Sequence, residues 1–167
     1  MEAGTTREVV LREPVLLDGK AVHTLIGHCP PLDLNSSYNY FLLCSHFSET
    51  CVIGERDDEI LAFMSAYRIP KSPERLFVWQ AAVDPSLRGM GMAGRMLEAI
   101  LARPACAGVT YIETTVSPSN TASRRVFQRF AQKHGVGWHE ETLLAEEDFG
   151  GESHESEVLF RIGPFNQ

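Results

Sequence analysis

The run Leu76–Asp84, LFVWQAAVD, is apolar at almost every position, so a strand made from it has to be covered on both faces. That demand predicts the centre of a sheet with helices packed above and below it. Five residues, Asp84-Pro85-Ser86-Leu87-Arg88, then lead away from the strand, and Gly89-Met90-Gly91-Met92-Ala93-Gly94 opens the next element. Met92, Met96, Leu97, Ile100 and Leu101 fall on one helical stripe, which predicts a helix over 91–103 that Pro104 stops.

Around this centre the chain alternates extended and helical signals. Val9–Arg12 reads as a first strand, and Asp18 as the cap of a helix running toward Gly27-His28. The stretch Cys29-Pro30-Pro31-Leu32-Asp33-Leu34-Asn35-Ser36-Ser37 is a loop, because its two prolines exclude a helix interior. Ser36 or Ser37 then caps a helix through Tyr38, Phe41, Leu42 and His46. Cys51–Glu55 and Ile60–Tyr67 form a hairpin across the charged run 56–59. Val109–Val116 is a further strand, Ser119 or Asn120 caps a helix to His134, and Glu157–Ile162 closes the sheet after a Gly-Gly loop. The order predicts one α/β (α+β) domain over residues 1–167, a mixed and mostly antiparallel sheet with helices on both faces, undivided by linker or repeat.

The formal net charge of −7 speaks against nucleic acid as a partner, since phosphate binding needs clustered Lys and Arg, and suits a cationic substrate instead. Cys29, Cys44, Cys51 and Cys106 lack the paired spacing of a zinc site and read as core fillers, so no metal is expected. Residues 1–12 have no signal-peptide pattern, and no apolar run approaches the ~20 residues of a membrane span. The expected setting is a reducing cytoplasm, with no membrane partner.

Gly89, Gly91 and Gly94 match the G-x-G-x-x-G of a dinucleotide site, and Glu113 stands about 20 residues further on, where that fingerprint has an acid. The context disagrees. Five residues separate the strand from the first glycine, Glu113 falls inside a strand, and several elements precede what ought to be the opening βαβ unit. The rival pattern is Arg/Gln-x-x-Gly-x-Gly/Ala at a helix start, met by Arg88, Gly91 and Ala93. Its chemistry is anion capture: small residues let backbone N–H groups approach a pyrophosphate, and the helix N-terminus adds its unsatisfied donors and dipole.

At these residues the chain resembles the GCN5-related N-acetyltransferase superfamily. The resemblance implies acetyl-CoA as co-substrate, its pyrophosphate on Arg88, Gly89, Met90, Gly91, Met92 and Ala93, and its pantetheine arm along backbone groups of Ala81 and Val83. Asn120 matches a position that often contacts the pantetheine, and reads equally as an N-cap. A wider set is similar to the branch of the superfamily that acetylates L-2,4-diaminobutyrate: Cys29-Pro30-Pro31-Leu32-Asp33, Asn35-Ser36, Tyr38, Tyr40, Trp79-Gln80, Glu113-Thr114-Thr115, Pro118, Asn120, Ala122-Ser123, Arg161-Ile162 and Pro164-Phe165. That likeness implies acetylation of the γ-amino group on the way to ectoine, a compatible solute, by a homodimer.

A substrate with two ammonium groups and a carboxylate calls for acids, and Asp33 and Glu113 are the candidates. Asp33 also fits a turn. Glu113 is the first choice as the base that removes the amine proton, directly or through water, and serves as well as an anchor for the α-ammonium. Trp79 shares a strand face with Ala81 and Val83, where it walls a pocket or packs in the core. Tyr38 and Tyr40, two apart on a helix, face different ways, and Tyr38 is the preferred site residue. Thr115 and His154 complete the acceptor set, and the N–H of Val83 is expected at the oxyanion. The superfamily's usual acid, a tyrosine seven residues after the asparagine, is replaced by Phe127. Acetylation of another small amine, or acetyl-CoA binding without catalysis, are the competing readings.

Overall fold

The structure is a computed structural model in which residues 7–166 are described. The chain forms two compact units, one from the segment up to Ser65 together with Gln80–Ala105, the other from Ala66–Trp79 and Cys106 onward.

The first unit holds β1 (Val10–Arg12), α1 (Gly19–Gly27), α2 (Ser37–His46), β2 (Val52–Arg56), most of β3 (Glu59–Ile69), the end of β4 (Ser72–Val83) and α3 (Met92–Leu101), its strands in the order β1-β2-β3-β4. The β1–β2 and β2–β3 ladders are antiparallel. The charged run between β2 and β3 does turn a hairpin: Asp57 and Asp58 take φ of +53° and +63°, the handedness that suits a two-residue connection, and Asp accepts it better than most residues. Ser36 caps α2, its hydroxyl accepting from the Asn39 N–H at 3.4 Å. Val22, Leu25, Ile26, Tyr40, Leu43, Cys44, Ile53 and Phe63 are buried together in the core of this unit.

Asp18 stands at the cap position of α1 but makes no cap bond there. Its carboxylate accepts instead from the Val15 N–H at 2.7 Å and from two nitrogens of Arg12 at 2.8 and 3.1 Å, and Arg12 also reaches Glu55 at 2.6 Å. Burial pushes the Asp18 carboxyl up, but the bonds from Arg12 and Val15 outweigh it and hold the group below its ordinary value. A carboxyl lowered in the native state lends stability above its unfolded value of ~3.9 and loses it as pH falls through the native one. Asp18→Asn is therefore expected to lower stability by about 1 kcal/mol at pH 7. Urea denaturation should find the gap from the parent narrowing steadily below about pH 4, where the parent carboxylate itself takes up a proton.

The second unit holds the start of β4, β5 (Tyr111–Val116), α4 (Thr121–Lys133), β6 (Trp138–Leu144) and β7 (Glu157–Ile162), in the order β4-β5-β7-β6. β4 and β5 are parallel, while β5–β7 and β6–β7 are antiparallel, so the sheet is mixed. Two elements go beyond the sequence expectation. β4 begins at Ser72, ahead of the apolar run, and β6 is an additional strand whose side chains are mostly exposed, so it carries no apolar alternation to announce it. Leu76, Val78, Ile112, Phe127, Phe130, Phe160 and Ile162 are buried.

Candidate active site

β4 ends at Val83, and the chain turns at once. Asp84 Oδ1 accepts from the Ser86 N–H at 2.9 Å, a single 3-10 turn spans Pro85–Leu87, and the fully buried Leu87 pins it down. Arg88 Nε donates to the Val83 carbonyl at 3.3 Å, which fixes the guanidinium beside the start of α3. Gly91 is the N-cap of α3 at φ +70°, a left-handed conformation that side-chain-bearing residues resist. The first bond of the helix runs from Arg95 N to Gly91 O at 3.1 Å, so the N–H groups of Met92, Ala93 and Gly94 precede the ladder and have no acceptor within it. No acid occupies this first turn. Together with the exposed Arg88, Gly89 and Met90, the loop gathers backbone donors, one guanidinium and a helix dipole, a set whose chemistry suits an anion.

The third glycine decides against the dinucleotide reading. In that fingerprint it permits close helix–strand packing, yet a Cβ at Gly94 would meet nothing within 4 Å.

On β4, Gln80 and Ala82 are buried while Trp79 is 44 % exposed and Ala81 and Val83 are half-buried, so the open face is the one carrying Trp79, Ala81 and Val83. Trp79 is thus an open-face residue and not a core one. Tyr38 and Tyr40 diverge as their spacing requires, Tyr38 lying 69 % exposed and Tyr40 fully buried. Asp33 is exposed in its loop, and its backbone carbonyl accepts from the buried Gln80 Nε2 at 2.7 Å. Nothing in the sequence patterning marks Gln80 for this, since donor and acceptor are 47 residues apart.

In the second unit Glu113 is 4 % exposed, and its environment follows from strand register. It lies opposite Arg161 on β7 and opposite Phe77 on β4, two residues from Arg75. Arg161 Nε donates to Glu113 Oε1 at 2.6 Å and Arg75 donates to the same oxygen at 3.2 Å, which leaves Oε2 as the oxygen a further partner would use. Arg161 extends the row to Glu141 on β6 at 3.8 Å, giving the charge order Arg75, Glu113, Arg161, Glu141 across four strands. Thr115 follows on the Glu113 side of β5, whereas Thr114 is buried and donates to the Val78 carbonyl at 3.0 Å, at the last rung of the parallel ladder.

Asn120 caps α4 through Oδ1, which accepts from the Ser123 N–H at 3.1 Å, while its Nδ2 donors take no part in the cap. Phe127 is buried. His154 stacks on Phe149 with ring centroids 4.0 Å apart, and its Nδ1 lies 2.6 Å from the Glu155 carbonyl. All four cysteines are buried thiols, and burial pushes Cys44 up to about 12, so it is no thiolate near neutrality. Among the described residues no group of three His, Cys, Asp or Glu side chains is arranged to hold a metal, and no helix is long and apolar enough to cross a membrane.

The sequence pattern of the Acetyltransferase (GNAT) family matches residues 20–131. The chain belongs to that family. Within it, the chain is 47% identical over 156 residues to an L-2,4-diaminobutyric acid acetyltransferase of Bordetella parapertussis, covering 93% of this chain and 84% of the relative. A second relative with the same description, from Methylotuvimicrobium alcaliphilum, is 45% identical over 94% of this chain and 91% of its own length. Among solved structures, the diaminobutyrate acetyltransferase EctA of Paenibacillus lautus, in complex with L-2,4-diaminobutyric acid and coenzyme A, matches with a TM-score of 0.92 and 47% identity, over 96% of this chain and 97% of that one.

Proposed function

We propose that this enzyme transfers the acetyl group of acetyl-CoA to the 4-amino group of L-2,4-diaminobutyrate, giving the N4-acetyl product in the route to ectoine. The observation that carries the reading is the likeness, over nearly the whole of both chains, to a transferase complexed with that amino acid and coenzyme A. The donor pyrophosphate lies in the cradle of Arg88 to Ala93, and the pantetheine arm runs beside the open stretch of β4 that holds Ala81 and Val83. The γ-ammonium first gives a proton to water, the free amine attacks the thioester carbonyl directly, the new oxyanion meets the N–H of Val83, and the intermediate collapses with loss of CoA thiolate and of the second nitrogen proton to water. Phe127 has no proton to give, so solvent protonates the thiolate.

Asp33, Tyr38, Trp79, Thr115 and His154 are assigned to the acceptor. Glu113 is assigned to holding a substrate ammonium through Oε2 and not to taking its proton, because proton uptake would strip two guanidiniums of their shared partner. We read the protein as a cytoplasmic homodimer of one-domain chains, its buried thiols suiting a reducing compartment.

The direct test follows CoA thiol release from acetyl-CoA in the presence of diaminobutyrate, ornithine, lysine or polyamines, and locates the new acetyl group by NMR. Preference for diaminobutyrate with the acetyl group on the γ-nitrogen is the expected result. Acetylation of the α-nitrogen, or faster turnover of another amine, refutes the assignment, and tight CoA binding without thiol release for any amine would make the chain a binding module.

A further inference from the structure

The loop Cys29–Ser36 carries Asp33, and two buried side chains grip it from below. Tyr40, fully buried on α2, and Gln80, 5 % exposed on β4, are joined by a bond from Tyr40 Oη to Gln80 Oε1 at 3.1 Å. The Gln80 amide then donates through Nε2 to the Asp33 carbonyl at 2.7 Å, and the Asn35 N–H donates to Tyr40 Oη at 3.2 Å. The backbone on either side of Leu34 is therefore held at two points by one continuous chain of hydrogen bonds. The direction of that chain is fixed by chemistry. With its oxygen accepting from Asn35, Tyr40 turns its O–H toward Gln80 Oε1, and this leaves the NH₂ of Gln80 facing the Asp33 carbonyl. Gln80 is itself fixed at its backbone, where its N–H donates to the fully buried Ser65 hydroxyl at 3.2 Å. Edge contacts of the Tyr40 ring with His23 at 5.9 Å and Phe63 at 6.5 Å hold the phenol in place.

We propose that Tyr40 and Gln80 form a positioning relay that sets the exposed carboxylate of Asp33 for the acceptor amine, without touching substrate or donor themselves. The inference rests on the proposed function, in which Asp33 binds the acceptor. Shifting a binding carboxylate by even ~1 Å weakens capture of one substrate while the other is bound as before. Fully buried polar groups in a connected chain are suited to hold a loop to that tolerance, since breaking one link leaves the others unsatisfied.

The test uses the full chain in three forms, Tyr40→Phe, Gln80→Met and the double variant, with steady-state kinetics in both substrates, thermal melts, and hydrogen exchange at the Asn35 amide. Tyr40→Phe keeps the ring and its packing, so it is the variant chosen to stay folded. The expected result is a rise of at least tenfold in KM for diaminobutyrate, with KM for acetyl-CoA and kcat within about twofold of the parent and faster exchange at Asn35. Because the two residues act as one chain, the double variant should be no worse than the worse single one. A lowered Tm with both KM values unchanged makes the network merely structural and overturns the proposal, as do multiplying effects in the double variant. If the parent itself fails to turn over diaminobutyrate, the proposed function falls. The relay then stands or falls on Asn35, and unchanged exchange in Tyr40→Phe overturns it.

Discussion

Glu113→Ala is expected to reduce kcat/KM for diaminobutyrate by about 10²-fold, mostly through KM, while acetyl-CoA still binds. The carboxylate sits between two guanidiniums at 2.6 and 3.2 Å, so its removal deletes the charge-assisted contact proposed for the substrate and leaves two like-charged neighbours to repel an ammonium. A loss of about 3 kcal/mol corresponds to that fold-change. Stability should suffer as well. Removing one member of a buried ion pair costs roughly 3–5 kcal/mol, but the Arg75 and Arg161 side chains are 33% and 26% exposed and relax into water, so about 2–3 kcal/mol is a better expectation. For a chain of this size that is a fall in Tm of roughly 5–10 °C. Glu113→Gln separates the effects, keeping volume and one acceptor oxygen while losing the charge. A fall confined to kcat, with a displaced pH profile, would reassign the residue as the general base.

The second large effect is expected in the loop. Gly91→Val puts a β-branched residue at φ +70°, which costs roughly 1–3 kcal/mol or forces the start of α3 to rearrange, and either outcome turns the donors of Met92 and Ala93 away from the position proposed for the pyrophosphate. The KM for acetyl-CoA should rise at least tenfold with little change in KM for the amine. Gly94→Ala, three residues on, should do the opposite. It lies inside α3 with open space around the added methyl, so stability should rise by about 0.5–1 kcal/mol and donor binding should stay as it was. Steady-state kinetics and melts on the pair check both arms, and lost donor binding in Gly94→Ala would restore a role for the third glycine.

Much of the fold was legible because its signals are local. Ser36 and Asn120 cap the helices they precede, Pro104 follows the end of α3, and the charged run 56–59 turns the hairpin. The glycine loop that opens α3 is legible for the same reason, being one short segment. What escaped depends on surroundings that residue type alone does not reveal, several of them made by partners far along the chain. Asp18 has the residue type and position of a cap, yet Arg12 draws its carboxylate away, and β6 shows no alternation because most of its side chains face water. The surroundings of Glu113 arise only when the β5–β7 register sets Arg161, 48 residues distant, directly opposite. Gln80 and Tyr40 meet only because α2 and β4 share a core.

The row Arg75, Glu113, Arg161 and Glu141 has a consequence for the ionic conditions in which such a chain can work. At 1 M salt the Debye length is only ~3 Å, and attractions between charges at the surface are largely erased. Arg7 and Asp57, 80% and 57% exposed, form a pair of that kind. Glu113 is removed from solvent and touches its guanidiniums directly, so mobile ions cannot come between them. A rise in the surrounding salt would loosen the exposed pairs, including the outer link to Glu141, while the inner charges kept their grip.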